Sequence, residues 1–335
     1  SSGTASSPST TVGSTITFDQ SGGGNVSFDG TVSSGNAGTA GDDILLSAAN
    51  GDLTINAAVE SRSADVTATS TENIVVTAPG SITSVGGNVV LNSDTDTATS
   101  SGGGIRVLGT VNSTGGNITL GGGADPATTN TVATTTSGND GIQIVGGTLD
   151  AGSGDISLRG SSALDDGVGI QNGATIQTTS GTISLNGTST TASGNDGVEI
   201  TGTGTTVTSA TGSISVTGVG FSGDGVDVSS AAVVASTGTA TITIDGTSTA
   251  ADQAGVRLQD TNTQITSVDG DISITGTNNS NLGAFLVSGV EISSTGTGAS
   301  AATITITGTG AAGIDLDTAD TLVTSVDGEI QLDGN

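Results

Sequence analysis

The sequence lacks cysteine, histidine, lysine, methionine, tryptophan and tyrosine, and these absences exclude several kinds of chemistry. Without cysteine the chain forms neither disulfides nor thiolate metal sites. Without histidine and cysteine the Ser–His and Cys–His catalytic pairs are impossible. Carboxylate pairs could in principle hydrolyse glycosides, but sugar-binding sites use Trp and Tyr as stacking platforms. We therefore expect that the protein is not an enzyme.

Positive charge is almost as scarce, with four arginines against 32 acidic residues and a formal net charge of −28. Such a chain is repelled by nucleic acid and by anionic membrane surfaces, and it attracts divalent cations. No apolar run reaches the length of a membrane span, so we expect no membrane insertion. The chain begins at Ser1 without a signal peptide, and we expect a processed form or a piece of a longer protein.

Glycine and β-branched apolar residues are what the sequence has in abundance. Glycine occurs 57 times, and hydrophobic residues, mostly Val, Ile, Leu and Ala, make up 32%. Disordered chains lack such apolar residues, and collagen requires a strict three-residue glycine period. Apolar residues alternate with polar ones and show no helical period, so the sequence predicts strands throughout.

Two strand patterns recur with an average spacing of about 30 residues. Column A is apolar-x-apolar after glycine, as in "GIQI" (141–144), and column C is apolar-x-apolar after a glycine-containing turn, as in "DISL" (155–158). The lead residues of column A are Ile16, Ile44, Ile74, Ile105, Ile142, Val168, Val198, Val226, Val256, Val290 and Ile314. The lead residues of column C are Val26, Leu53, Val89, Ile118, Ile156, Ile183, Ile214, Ile242, Ile272, Ile304 and Ile330.

A third strand, column B, precedes column C by a nearly constant distance. Its residues are Ile82, Val111, Leu149, Ile176, Val207, Val234, Ile265 and Val323, and the turn of Ile304 has no assignable member. One constant corner and one variable corner predict an all-β parallel solenoid, with three strands per coil and about eleven coils of about 30 residues. We expect one solenoid domain over 13–335 after a flexible Ser/Thr-rich lead or inter-subunit segment at 1–12. Separate β-sandwich domains are the alternative, but their strands would not recur in register.

A column of aspartates precedes the column A strands, as in "SGNDGVEI" (193–200). Its members are Asp140, Asp166, Asp196 and Asp224, and it lapses at Ala254, Ser288 and Ala312. Like charges about 4 Å apart repel by about 1 kcal/mol even in water. Two interpretations stay open: each carboxylate accepts hydrogen bonds from turn amides, or the column binds calcium, the one cofactor that we expect. Asn139, Asn195 and Asp165 are further candidate ligands.

Several outward residues of the column A strands are charged. Arg257 falls between Asp227 and Glu291 in this pattern, so we expect a ladder of alternating charges across three coils. Exposed ion pairs contribute at most about 1 kcal/mol each, so the expected role of the ladder is to hold register.

Several runs resemble a known group of proteins. The segments "GNVSFDGTV", "GDDILLSAANGDLTINAAV" and "STGGNITLGG" resemble repeats of filamentous-haemagglutinin-like and autotransporter-passenger proteins, and of giant bacterial surface proteins. The resemblance covers most of 13–335 and implies a right-handed β-helix that is secreted across an outer membrane. Members of the group act as adhesins, fibres or matrix components, and no catalytic residue carries over.

These observations predict a structural subunit of a bacterial extracellular fibre, surface layer or matrix. Open solenoid ends favour strand pairing, so the expected partner is a second copy in a head-to-tail homopolymer, or flanking repeats of the same long chain. The alternative is a surface adhesin that binds glycan or a host or neighbouring cell through its C-to-A loops, the longest of which we expect near 54–73 and 119–141.

Overall fold

The computed structural model describes residues 3–4, 9–10, 15–35, 41–96, 102–133, 140–191, 194–298, 301–317 and 320–335. Over these residues the chain is an all-β solenoid, in which three parallel sheets make about 11 turns of about 28 residues each. This confirms the predicted fold class. No helix in the described ranges has the length and hydropathy that crossing a bilayer requires.

Each sheet takes one strand from every turn, and all strand pairs are parallel. Sheet A contains β1 (Gly3–Thr4), β4 (Val26–Phe28), β7 (Leu53–Ile55), β10 (Ile74–Val76), β13 (Ile105–Val107), β17 (Ile142–Val145), β20 (Val168–Gln171), β23 (Val198–Thr201), β26 (Val226–Ser229), β29 (Val256–Leu258), β32 (Leu282–Val287) and β35 (Gly313–Asp317). Sheet B contains β2 (Ser9–Thr10), β5 (Val32–Ser34), β8 (Ala58–Ser61), β11 (Ser81–Ser84), β14 (Thr110–Asn112), β18 (Thr148–Gly152), β21 (Thr175–Thr178), β24 (Thr206–Ser209), β27 (Val233–Ser236), β30 (Gln264–Ser267), β33 (Glu291–Ser294) and β36 (Leu322–Ser325).

Sheet C has one additional strand. It contains β3 (Ile16–Gln20), β6 (Ile44–Ala48), β9 (Val66–Ser70), β12 (Val89–Ser93), β15 (Ile118–Gly122), β19 (Ile156–Ser162), β22 (Ile183–Ser189), β25 (Ile214–Gly220), β28 (Ile242–Ser248), β31 (Ile272–Asn278), β34 (Ile304–Gly310) and β37 (Ile330–Gly334), with β16 (Thr131–Ala133) beside β19. Of the predicted lead at 1–12, β1 pairs with β4 and β2 with β5, and its other residues lie outside the described ranges.

The core is a continuous stack of aliphatic side chains along the solenoid axis. Alternate residues of every strand point inward, as in β22, where Ile183 and Leu185 are buried. Register pairing sets Ile183 on Ile214 and Ile214 on Ile242, so each side chain packs on its counterpart one turn away. At the interstrand spacing of about 4.8 Å, eleven turns span roughly 50 Å.

The structure corrects the strand assignment of the first turns. Ile16 and Ile44, assigned to column A by pattern, lie in sheet C, where Ile44 pairs with Val66 of the unpredicted strand β9. Val26 and Leu53, assigned to column C, lie in sheet A. The turn from Ile44 to Val66 is shorter than the period of about 30 residues. An assignment based on that period therefore placed strands of different sheets in one column.

A second correction concerns the segment 289–292. Its residues enter sheet B through β33, and the sheet A strand of that turn is β32, where Ala284 pairs with Val256. Val290 is therefore not a column A lead, and β33 is the strand that the pattern left unassigned in the turn of Ile304. The pattern failed here because apolar-x-apolar follows a glycine in both segments, at 283–286 and at 289–292.

The predicted C-to-A loops are also corrected in part. The segment 54–73 is not a loop, since it contains β8 and β9. The segment 119–141 contains most of β15 and all of β16, and its residues 134–139 lie outside the described ranges.

Glycine pairs close the C-to-A corner in the middle and last turns. In sheet C the fifth residue of each seven-residue strand is glycine, and these glycines stack in register, as Gly218 does on Gly246. A Cβ atom on Gly218 would clash with the carbonyl oxygen of Gly225, the glycine that precedes the next sheet A strand. The glycine of the recurring Asp-Gly-apolar motif has a similar reason, because a Cβ atom on Gly225 would clash with the backbone nitrogen of Thr247.

We expect Gly218→Ala to lower the free energy of unfolding by about 1–3 kcal/mol, because overpacking displaces backbone. The matched control is Gly22→Ala, since a Cβ atom at Gly22 meets nothing within 4 Å. Urea or thermal denaturation of both variants checks the prediction. Equal stability of the two variants would contradict the account of the corner.

Candidate metal centre

The four predicted aspartates lie together at the C-to-A corner. Each precedes by two residues the first residue of a sheet A strand, and the strands concerned, β17, β20, β23 and β26, are consecutive neighbours. Beyond Asp224 the same position is occupied by Ala254, Leu282 and Ala312. The predicted lapse at Ser288 is therefore wrong, because that residue belongs to the connection before β33.

Three of the four carboxylates accept a backbone hydrogen bond from the next turn. The amide of Asp196 donates to Oδ1 of Asp166 over 2.7 Å, and the amide of Asp224 donates to Oδ1 of Asp196 over 2.6 Å. The amide of Ala254 donates to Oδ1 of Asp224 over 2.6 Å. Amide hydrogen bonding, the first interpretation, thus holds for three members, with the donor one turn away and not in the same turn.

This ladder does not by itself require a negative charge. At the corner before sheet C, Asn88 Oδ1 accepts the amide of Asn117 over 2.9 Å, and Asn117 Oδ1 accepts the amide of Asp155 over 2.9 Å. Asn and Asp therefore serve equally as acceptors between turns. The exclusive use of aspartate in the column at the C-to-A corner needs a further reason.

Asp140 departs from the ladder. The residue is 2% exposed, and no donor among the described residues reaches either carboxylate oxygen. When Asp140 is protonated, it donates a hydrogen bond to the carboxylate of Asp165. The side chain lies over Gly169, where a Cβ atom would clash with its Oδ2. Burying an ionised carboxylate without a partner is costly, so this group calls for a proton or a cation.

Two groups of carboxylates converge at the corner. In the first, Asp140, Asp165 and Asp166 each offer an oxygen within 4.8 Å of the other two. In the second, Asp196, Glu199 and Asp227 do the same. The protonated carboxyl of Glu199 donates a hydrogen bond to Asp166, so Glu199 links the two groups.

Arg257 neutralises the far end of the column. Its Nε lies 2.6 Å from Oδ2 of Asp224, the one ion pair found within the described ranges. The guanidinium also lies 5.7 Å from the ring centroid of Phe285, which pairs with Arg257 in sheet A. The predicted ladder of Asp227, Arg257 and Glu291 is therefore wrong in its last member, because Glu291 lies in sheet B.

Burial raises the pKa of nearly every acid in the two groups. Burial raises the pKa of Asp140 to about 9, with further contributions from Asp166 and Asp165. Burial likewise raises the pKa of Asp196 to about 9, with Asp224 and Asp227 adding to the effect. Without bound cations, the folded chain therefore holds protons here at neutral pH.

The pKa values of four further acids at this corner are raised as well. The pKa values of Asp166 and Glu199 are both raised by burial, and these two groups share a proton. Burial raises the pKa of Asp227 to about 7 and also raises that of Asp224, while the nearby charge of Arg257 opposes both shifts.

The structure divides the predicted set of four. It joins Asp140 and Asp166, places Asp196 in the second group, and pairs Asp224 with arginine. Of the proposed extra ligands, Asp165 belongs to the first group and Asn139 lies outside the described residues. The backbone carbonyl of Asn195 accepts the hydroxyl of Ser189.

Sequence reasoning did not assign Glu199 or Asp227 to a metal site. Glu199 pairs with both Gly169 and Asp227 in sheet A, so the strand register could have revealed the second group. An all-carboxylate set without nitrogen or sulfur ligands suits a hard cation such as Ca²⁺. Comparisons with protein-family models, curated proteins and solved structures found no match to the chain.

In the presence of a chelator, we expect the melting temperature to fall as pH rises from about 4 to about 9. The raised pKa values of Asp140 and Asp196 mean that the folded chain binds protons that the unfolded chain has lost, so their contribution is complete below about 4 and lost by about 9. Thermal melts over this range check the prediction, with Asp140→Asn/Asp196→Asn expected to flatten the curve. A melting temperature that rises from pH 5 to 9 would contradict it.

Proposed function

We propose that the chain is a structural rod of a bacterial extracellular fibre, surface layer or matrix, extended by end-to-end stacking of solenoid turns. The observation that carries this proposal is the uninterrupted core, in which in-register apolar side chains are buried from Ile16 to Ile306. Such a core gives a stiff rod whose length scales with the number of turns. The repeats quoted above support assignment to the filamentous-haemagglutinin-like and autotransporter-passenger-like proteins.

The last described turn offers a surface for stacking. Leu316, Ile330 and Leu332 are exposed there. Their counterparts one turn earlier include Leu286, Ile304 and Ile306, which are fully buried. A further turn would cover these side chains and pair with the open edges of β35, β36 and β37.

Stacking of one copy on another is a heterologous contact, which grows a filament because the two surfaces differ. Flanking repeats of a longer chain would use the same surface. The charge of −28 keeps the lateral faces of neighbouring rods apart and so favours growth along the axis. These properties fit a role outside the cell and need no catalytic group.

We expect the purified chain to form fibres one solenoid wide, and we expect Ile330→Lys/Leu332→Lys to abolish them, because lysine at the stacking surface buries unpaired charge. Leu45→Lys is the matched control, since Leu45 is 40% exposed, like Ile330, but lies on the lateral face of β6. Negative-stain electron microscopy and sedimentation velocity provide the readout. Monomeric wild-type protein, or fibres of the double variant, would contradict end-to-end stacking.

One observation favours the adhesin alternative. Phe221 is 52% exposed on the connection between β25 and β26, where a soluble rod has no structural need for an aromatic ring. Exposed aromatic side chains are typical anchors of binding surfaces.

If this surface binds glycan or a cell-surface partner, Phe221→Ser should reduce retention on a glycan array or on cells about tenfold and leave fibre formation unchanged. Val85→Ser, at a similarly exposed position on another corner, is the control. Equal retention of both variants would remove the support for the adhesin.

A further inference from the structure

We propose that Asp140, Asp165 and Asp166 form a binding site for one Ca²⁺ ion, with the missing side chain of Gly169 providing the space. This proposal goes beyond the structural role and does not depend on it, because the site lies in the middle turns, away from the stacking surface.

The spacing of the oxygens fits a shared ion. Calcium binds carboxylate oxygens at about 2.3–2.6 Å, so ligands on opposite sides of the ion lie about 5 Å apart. One oxygen from each of the three aspartates lies within 4.8 Å of the other two. The three groups therefore span the ion without rearrangement of the backbone. The carboxyl group of Glu199 lies beside Asp166 at the edge of the site.

The independent evidence for a ligand is the state of Asp140. The other three members of the column accept an amide of the following turn, whereas Asp140 turns away from the amide of Asp166. Its nearly fully buried carboxylate points at Asp165 and Asp166, and no described N–H group donates to it. A buried acceptor aimed at two other acceptors is satisfied by a cation between them.

Gly169 explains why the site forms in this turn. The outward positions of successive sheet A strands are Gln143, Gly169 and Glu199, and only the middle one lacks a side chain. The carboxylate of Asp140 occupies the resulting space, and a Cβ atom there would displace it. The backbone at Gly169 has no positive φ, so alanine fits the main chain. Its Cβ atom would clash with Asp140 and would also lie 3.2 Å from Nε2 of Gln171, the end of a flexible side chain.

The site is accessible and lacks a neutralising partner. Asp165 is partly exposed, so the site opens to solvent at this residue. Asp140 also lines a cleft of about 180 Å³ together with Arg106 and Gln143. The one ion pair found within the described ranges joins Arg257 to Asp224, which is the last member of the column and lies at the opposite end from Asp140. Among the carboxylates of the two groups, only Asp140 has both oxygens buried without a hydrogen-bond partner, so the geometry supports a single ion in the first group and not a row of ions.

The test is calorimetric titration of the chelator-treated chain with CaCl₂ at pH 8, combined with thermal melting. We expect one Ca²⁺ per chain and a rise in melting temperature for the wild type. Asp140→Asn and Gly169→Ala should each weaken binding at least about tenfold, the first by removing a ligand charge and the second by displacing an intact ligand. In chelator, Asp140→Asn should melt higher than the wild type, because buried asparagine needs neither a proton nor a cation to become neutral.

Two controls separate a site from general charge effects. Asp155→Asn removes an exposed carboxylate of the corner before sheet C, whose Oδ1 accepts the amide of Thr182, and should bind Ca²⁺ like the wild type. Arg106→Gln should also retain binding. NaCl at matched ionic strength should not reproduce the calcium effect.

Circular dichroism first verifies that every variant is folded, so that a change in calcium binding reports on the site. The proposal would be overturned if the wild type showed no saturable binding, or if Asp140→Asn and Gly169→Ala bound calcium undiminished. Loss of binding in Arg106→Gln, or equal stabilisation by NaCl, would also overturn it. Fibres that form equally with and without calcium would leave it standing, because assembly and binding use different surfaces.

Discussion

Each strand of the solenoid pairs, parallel and in register, with the equivalent strand one turn away, so every side chain stacks on a counterpart about 4.8 Å distant. Apolar residues benefit from this arrangement, because isoleucine on isoleucine forms a continuous dry core. Asparagine also benefits, since its amide oxygen reaches the backbone amide of the following turn. Aspartate on aspartate is the costly case, because repetition brings like charges together.

In the aspartate column at the C-to-A corner, the repulsion between carboxylates is offset by different contacts in different turns. Asp166 and Asp196 accept amides of the following turn, and Asp224 adds an ion pair with Arg257. Asp140 has neither device and lies over Gly169 beside two other carboxylates. The feature that defines the candidate site is thus a local break in a repeating hydrogen-bond pattern. Function in a repeat protein is most readily sought at such breaks, where one turn differs from its neighbours.

The fold could be predicted from sequence because alternation and period are carried by many turns at once. Local assignments failed where turns shorten, as between Ile44 and Val66, and where two strands share one pattern, as at 283–292. The candidate site was predicted only in part. The repeat identified Asp140 and Asp166, but the direction in which Asp140 points depends on the absent side chain of Gly169 in the next turn. The sequence pattern of a single strand does not reveal that contact, because the contact depends on the register between neighbouring turns.

The most direct test of this account is a crystal structure of the chain grown with calcium, with anomalous diffraction to locate the ion. The account predicts one anomalous peak between the carboxylates of Asp140, Asp165 and Asp166, and none beside Asp224, within three in-register parallel sheets. A structure without this peak, in which Asp140 accepts the amide of Asp166 as the other members of the column accept theirs, would contradict it.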